Sequence, residues 1–387
     1  MTKEVLHKRT TASAGEAAAS PAGKFDQLFV NLGPQHPSTH GVLRVGLTLE
    51  GEVITKAEPD IGYLHRGTMK LAEARSWHQC VVLTDRWDYV SAMPNNLALC
   101  LAAEKLLAVQ APDRAQSLRV IMCELNRIAS HLLFLGTYGI DLGAFTPFLH
   151  AFREREMILD LYEMLCGARL TYNYIRIGGV MSDISPEWAA KAREFLTFFK
   201  PRLQEYDDLL SFNPIFLART EEVGVIPQAL AVAWGLSGPN LRGSGAAYDV
   251  RKSDPYCGYE KFDFEVPLGK TGSCWDRYYC RCLEMRQSVR IVEQALDGLP
   301  SGDLLAKGVA KNVKPPPGEA YAHVEASRGD LGIYVVSDGG PAPYRMHVRA
   351  PSFVNLAILQ EILVGRKIAD VVAILGSIDI VLGETDR

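Results

Sequence analysis

Hydrophobic and polar residues alternate from Val42 to Leu49, with Leu43, Val45, Leu47 and Leu49 on one side and Val42, Arg44, Gly46 and Thr48 on the other. That period of two is the pattern of a half-buried strand, and Phe25 to Leu32 reads as its partner. The stretch between them, Gly33-Pro34-Gln35-His36-Pro37-Ser38-Thr39-His40-Gly41, can continue neither strand. The pattern therefore predicts a β-hairpin with two histidines at its tip. A turn at Glu50-Gly51 starts a third strand from Glu52 and completes a small N-terminal sheet.

From about Thr68 to Thr171 the apolar spacing becomes helical. Leu118, Ile121, Met122, Leu125, Ile128, Ala129 and Leu132 fall at three- and four-residue steps, marking one side of a long helix that is expected to close near Gly136. Thr146-Pro147 offers an N-cap and a first-turn proline for a helix toward Gly167. Ser185 can cap a helix from Pro186 to Leu210, and another fits Trp275 to Leu296. Helices this long pack on one another, which predicts a central bundle.

Pro239 to Gly272 is turn-rich, and Pro315-Pro316-Pro317-Gly318 sets off a second β segment, with strands at Ala320 to Ala326, Gly332 to Ser337 and Tyr344 to Val348. A helix from Ser352 to Leu363 follows. The expected class is α+β, mainly helical, with small antiparallel sheets toward both ends. Its divisions are a tail over 1–24, a β domain carrying the hairpin over 25–67, a helical bundle over 68–314, and a C-terminal α+β segment over 315–387.

Composition narrows the partners. The 41 basic and 45 acidic residues form no long block of one sign, so no polyanion such as nucleic acid is expected as a ligand. The apolar run Val371 to Leu375 is preceded by Lys367 and Asp370 and soon broken by Asp379, so it is too short to span a bilayer. The first 24 residues read as a disordered tail, with a transit peptide as the alternative. Eight scattered cysteines, with one C-x-C at Cys280 and Cys282 and no C-x-x-C, read as reduced, mostly buried thiols of a cytosolic compartment. The C-x-C falls in a helical pattern that points its sulfurs apart, which argues against metal ligation.

Four features could carry chemistry. His36 and His40 are held between prolines, and a fixed imidazole titrating near neutrality can donate a proton; an exposed polar turn is the plainer reading. Asp141, in Tyr138-Gly139-Ile140-Asp141-Leu142-Gly143, is a carboxylate among apolar neighbours, either a helix N-cap or a proton-relay partner for a histidine. Glu124, Arg127 and His131 share one helix side, the spacing of a solvated or interhelical salt-bridging stripe more than of a catalytic group. Tyr89, in Arg86-Trp87-Asp88-Tyr89, reads alone as a core aromatic with its hydroxyl tied down.

Several long motifs in order change this picture. Asn31-Leu-Gly-Pro-Gln-His-Pro-Ser-Thr-His-Gly-Val-Leu-Arg44, Asp60-Ile-Gly-Tyr-Leu-His-Arg-Gly67, Thr84-Asp-Arg-Trp-Asp-Tyr-Val-Ser91 and the terminal Gly383-Glu-Thr-Asp-Arg387 resemble the 49-kDa, or D, subunit family of respiratory complex I. The resemblance runs from about Phe25 to Arg387. That family is similar to the [NiFe]-hydrogenase large subunit, whose two C-x-x-C pairs hold nickel and iron. In the corresponding places stand Asp88 and Ser91, then Val381 and Glu384, a set without the thiolates a soft metal site needs. Glu325-Ala326-Ser327-Arg328-Gly329 keeps a hydrogenase-like stretch, as a retained scaffold with replaced chemistry would.

The resemblance implies that the vacated cavity takes a quinone headgroup, bound and protonated by His40 and Tyr89 with Asp141 paired to His40. It implies no cofactor held by this chain alone, a terminal [4Fe-4S] cluster in an adjacent iron-sulfur subunit, and FMN and NAD(H) elsewhere in the complex. The other peripheral-arm and membrane-arm subunits are the further implied partners. Arg66 matches an arginine near that cluster, His36 becomes a secondary pocket group, and Met69 stands where the family commonly has a glutamate. The implied location is peripheral, on the cytoplasmic side of the cell membrane.

Overall fold

The structure, a computed structural model, describes residues 27–34, 41–310 and 312–387. It opens with β1 (Gln27–Leu32), β2 (Arg44–Glu50) and β3 (Val53–Asp60), an antiparallel meander in which Val30 faces Leu47 and Leu47 faces Ala57. The tip between β1 and β2, with His36 and His40, lies outside the described residues. Helices follow: α1 (Thr68–Ala72), α2 (Trp77–Thr84), α3 (Ala92–Leu107), α4 (Asp113–Asp141) and α5 (Thr146–Cys166). A two-residue ladder, β4 (Ile175–Arg176) and β5 (Gly179–Val180), precedes α6 (Pro186–Tyr206). The turn-rich stretch carries the short helices α7 (Pro214–Thr220), α8 (Gln228–Ala233), α9 (Pro239–Arg242) and α10 (Val250–Ser253), and α11 (Cys274–Asp297) closes the bundle.

A second meander, β6 (Gly318–Ala326), β7 (Gly329–Ser337) and β8 (Arg345–Arg349), is followed by α12 (Pro351–Ala357), α13 (Leu359–Ile362), α14 (Val371–Ile378) and α15 (Leu382–Asp386). The fold is thus α+β and mainly helical, with a small antiparallel sheet near each end. Two cores hold it together. The larger joins α3, α4, α5, α6 and α11 to the inner face of the β6–β8 sheet. The smaller packs Leu43, Val45 and Leu47 of the N-terminal sheet against Leu356, Leu359, Ile374 and Leu382, so the two ends of the chain share one apolar contact.

Local signals placed several elements well. Ser185 Oγ accepts from Trp188 N at 3.1 Å, capping α6 where Pro186 begins it. The helical path then continues through a π turn at Asp207–Ser211. Three expectations need correction. The long helix does not close near Gly136 but runs to Asp141, because a bare α-carbon there lets α5 approach; a Cβ on Gly136 would lie 3.1 Å from Phe148 Cα. Thr146 is the first residue of α5 rather than its cap, and Phe145 in the cap position makes no side-chain cap bond. The single helix expected from Ser352 to Leu363 is two short ones, α12 and α13, that meet at Ile358.

The Glu124, Arg127 and His131 stripe is not solvated but fully buried. Glu124 receives Arg251 at 3.1 Å, Arg127 at 3.2 Å, Ser288 at 2.6 Å and Tyr259 at 2.7 Å. His131 meets Glu284 at 2.9 Å, and Arg242 binds both Glu284 at 2.5 Å and Glu325 at 2.8 Å. These bonds tie α4, α9, α10, α11 and β6 together through paired charges. All eight cysteines are free thiols, buried or half-buried.

Candidate functional site

The C-terminal segment returns across the loop that precedes α3. Asp386 accepts the backbone N–H of Gly62 at 2.9 Å and of Leu64 at 2.7 Å, and His65 Nδ1 lies 2.6 Å from the Asp386 carbonyl. Gly383 packs directly on the 86–88 backbone: a Cβ there would lie 2.6 Å from the Trp87 carbonyl oxygen. Gly41, next in sequence after His40, is held against the same segment, since a Cβ on it would fall 2.8 Å from Leu382 Cδ1. Gly41, the 86–91 loop and the C-terminal residues thus converge.

At this convergence lies a cavity of about 450 Å³, within the usual range of small-molecule sites. Tyr89 and Val90 form one wall. Leu133, Thr137, Ile140 and Asp141 from α4 with Phe148 and Phe152 from α5 form an apolar second wall. Arg328, Asp379, Ile380 and Val381 close the third. Asp379 adopts φ 58° at the end of α14, a left-handed conformation that a short polar side chain tolerates. The carbonyls just before it are pinned by Arg281, which donates to Ser377 and Ile378 at 3.0 Å each.

Arg328 organises the charged end. Its guanidinium donates to Asp88 Oδ2 at 3.0 Å, to Asp379 Oδ1 at 3.1 Å and to Ser130. Asp88 Oδ1 also receives the N–H groups of Val90 and Ser91 at 3.2 Å, and Ser91 Oγ lies 2.7 Å from Ser327 Oγ. Glu384 is fully buried; one of its oxygens accepts Ser352 N at 3.2 Å, and the other has no partner among the described residues.

Here Asp88, Asp379 and Glu384 face two arginines, Arg328 and Arg281, the second 3.5 Å from Asp379, and Glu384 bonds neither; proton affinities follow. Burial, then the neighbouring Asp88, pushes the Glu384 carboxyl up to about 8. Burial and the Asp379 charge raise Asp88 against the pull of Arg328. Burial alone would lower Arg328, but Asp379 and Asp88 hold it above the ordinary arginine value. Tyr89 is raised by burial and then by Asp88, so its phenol keeps its proton at neutral pH and is available as a donor.

Of the residues singled out from sequence, Tyr89, Asp141 and Val381 line the cavity, Asp88 stands behind it bonded to Arg328, and Glu384 is buried beneath. Tyr89 is not a tied-down core aromatic: it is 38% exposed, and its hydroxyl bonds to no described residue. Asp141 is no N-cap but the last residue of α4. Arg66 sits at the edge, donating to the Arg86 carbonyl at 2.6 Å and the Gly383 carbonyl at 3.4 Å. Met69 packs against the main core. His36, His40 and any pairing of His40 with Asp141 lie outside the described residues. Sequence reading missed Asp379 and Arg281 as site-forming residues and took Arg328 only as scaffold; the break Asp379 makes in an apolar run was the available signal.

Among the described residues no cluster of three or more His, Cys, Asp or Glu side chains could hold a metal ion, and no helix is long and apolar enough to cross a membrane. A partly apolar pocket with a phenol at its wall and an arginine-carboxylate cluster at one end has the make-up of a small-molecule binding site. Residues 141–311 and 305–387 match the family model described as the respiratory-chain NADH dehydrogenase, 49 Kd subunit. The chain is 53% identical over 363 residues to the D subunit of NADH-quinone oxidoreductase from Desulforamulus reducens, covering 94% of this chain and 99% of that one. It is 50% identical over 363 residues to the protein of the same name from Carboxydothermus hydrogenoformans, with the same coverage. Against that of Bacillus mycoides it is 51% identical over 364 residues, covering 94% and 99%. The chain belongs to the family of respiratory-chain NADH dehydrogenase 49 kDa subunits.

Proposed function

We propose that this chain forms the quinone-reducing wall of an NADH-quinone oxidoreductase complex and that the cavity beside Tyr89 receives the quinone headgroup. The observation that carries this reading is an exposed phenol, with no partner among the described residues, on a cavity lined by Val381 and by Arg328, which binds Asp88; by resemblance Val381 and Asp88 stand where the hydrogenases hold thiolates. Electrons reach the headgroup from NADH through FMN and iron-sulfur centres, the last a [4Fe-4S] cluster in an adjacent subunit. Reduction by two electrons places negative charge on the two carbonyl oxygens, and each takes one proton to give the quinol.

Tyr89 donates a hydrogen bond to one carbonyl oxygen, stabilises that charge as it develops and then gives it one of the two protons, His40 giving the other. His40, with an ordinary value of about 6.5, is the easier proton donor at neutral pH, and Asp141 orients it and stabilises its imidazolium. Phe148, Phe152, Leu133 and Ile140 exclude water and give the ring an apolar face. Arg66, tied to the Arg86 and Gly383 carbonyls, places a cation at the edge facing the iron-sulfur partner, and a cation near a cluster raises its potential. Removal of protons by quinol formation leaves a charge imbalance that couples the chain to proton translocation by the membrane arm. The complex operates at the cytoplasmic face of the cell membrane, with this chain peripheral.

The test is Tyr89→Phe and His40→Ala in the assembled complex, with NADH-to-quinone turnover measured beside reduction of the iron-sulfur chain by NADH. Turnover is expected to fall about a hundredfold or more, as for loss of a proton donor, with cluster reduction unchanged. Unaltered turnover in both variants would favour a scaffold that only docks the iron-sulfur partner.

A further inference from the structure

In the β6–β7 hairpin, β6 carries a histidine, His323, whose two ring nitrogens both face carboxylates. His323 Nδ1 lies 3.0 Å from Asp330 Oδ1 on β7, and Nε2 lies 2.9 Å from Asp254 Oδ2 just beyond α10. A neutral imidazole carries one N–H and can donate to only one of them; both contacts are hydrogen bonds only in the imidazolium. The two carboxylates are not equivalent. Asp330, 11% exposed, also receives the Tyr248 hydroxyl at 3.2 Å and faces Arg349 at 3.8 Å. Asp254 is 67% exposed, and its carboxylate has no bond to any other described residue.

Asp254 begins a strap, Asp254-Pro255-Tyr256-Cys257-Gly258, that forms one lip of a cleft of about 400 Å³; Glu104 and Lys105 at the end of α3 belong to the facing wall. Other charged or titratable groups packed around the ring are Tyr321, whose ring centroid is 5.5 Å away, Lys105, which donates to the Tyr321 carbonyl at 2.9 Å, and Glu104, Arg119, Tyr256 and Cys257, which line the same cleft. The Asp330 and Asp254 bonds hold the His323 imidazolium above the ordinary histidine value.

We infer that His323 is a protonation-dependent latch: as imidazolium it ties Asp254, the first residue of the 254–258 strap, to the β6–β7 sheet, and on losing its proton it keeps Asp330 and releases Asp254, loosening that end of the lip while Tyr256, whose hydroxyl accepts Glu325 N at 3.1 Å, holds the rest. The sign follows from the partners. A histidine raised above its unfolded value contributes its full stabilisation below that value and loses it as pH rises through the folded one.

The test is backbone hydrogen exchange on the full chain at about pH 6 and about pH 9, corrected for intrinsic rates, reading peptides across 254–262 against α4 peptides as an internal control. Protection of the strap is expected to fall about tenfold over that range while α4 is unchanged. His323→Gln should be as unprotected at the low pH as wild type is at the high one. Asp254→Asn, at an exposed position that leaves folding intact, can donate its amide to a neutral ring, so the strap should stay protected at both pH values. Equal protection of wild type at the two pH values, or an undiminished pH step in either variant, would overturn the latch.

Discussion

Two regions of this molecule bury carboxylates at similar depth and treat them in opposite ways. In the network on α4 and α11, burial would raise Glu124 and Glu284, yet Arg127 and Arg251 bring Glu124 down to about 2, and Arg242 with His131 holds Glu284 well below the usual carboxylate range. At the cavity, Asp88, Asp379 and Glu384 gather round Arg328, and Glu384 rises to about 8. Glu325 marks the boundary: it binds Arg242 but shares it with Glu284 and Asp249, and burial leaves it raised. Glu124 bonds two arginines and Glu284 one arginine and a histidine, whereas Glu384 bonds no arginine among the described residues; direct contact with a cation, more than depth, decides whether a buried acid is a fixed strut or a held proton.

The comparison predicts unequal costs. Glu124→Leu leaves Arg127 buried without a carboxylate and Arg251 with Asp249 alone, and should cost about 3–5 kcal/mol in chemical unfolding, the usual cost of breaking a buried pair. Gly383→Ala would press a Cβ into the Trp87 carbonyl at 2.6 Å and should cost about 1–3 kcal/mol, as overpacking does. Glu384→Gln should stabilise instead. Above an unfolded value of about 4.3 the free chain ionises while the folded chain keeps the proton, so wild-type stability falls as pH rises toward the folded value. The gain from glutamine should therefore be absent at about pH 4 and should reach at least the ~1.4 kcal/mol of one pKa unit near pH 8, read from melting curves at both ends. Destabilisation by Glu384→Gln at the alkaline end would erase the contrast between the regions.

What was legible from sequence was what is local. Alternation gave β2, and the serine before Pro186 gave the start of α6, because both depend on a few adjacent residues. Gly136 misled because a glycine that ends an isolated helix can also serve a close helix crossing, and only the position of Phe148 distinguishes the two. The stripe Glu124, Arg127 and His131 was visible at helical spacing, but its partners Arg251, Tyr259, Glu284 and Ser288 lie more than a hundred residues away, so its burial was not. At the site, the family resemblance pointed to Tyr89, Asp141 and Val381, and all three line one cavity. Asp379 escaped notice because its place depends on a left-handed turn pinned by Arg281, a contact across 98 residues of chain.

The central claim is that the cavity beside Tyr89 is where the quinone headgroup sits, and a photoreactive quinone analogue in the assembled complex tests it most directly. Illumination of complex inhibited by the analogue should label peptides containing Tyr89, Thr137 to Asp141, or Asp379 to Val381, and excess quinone should protect them. Inhibition with the label confined to other surfaces, and those three segments unmodified, would contradict the account.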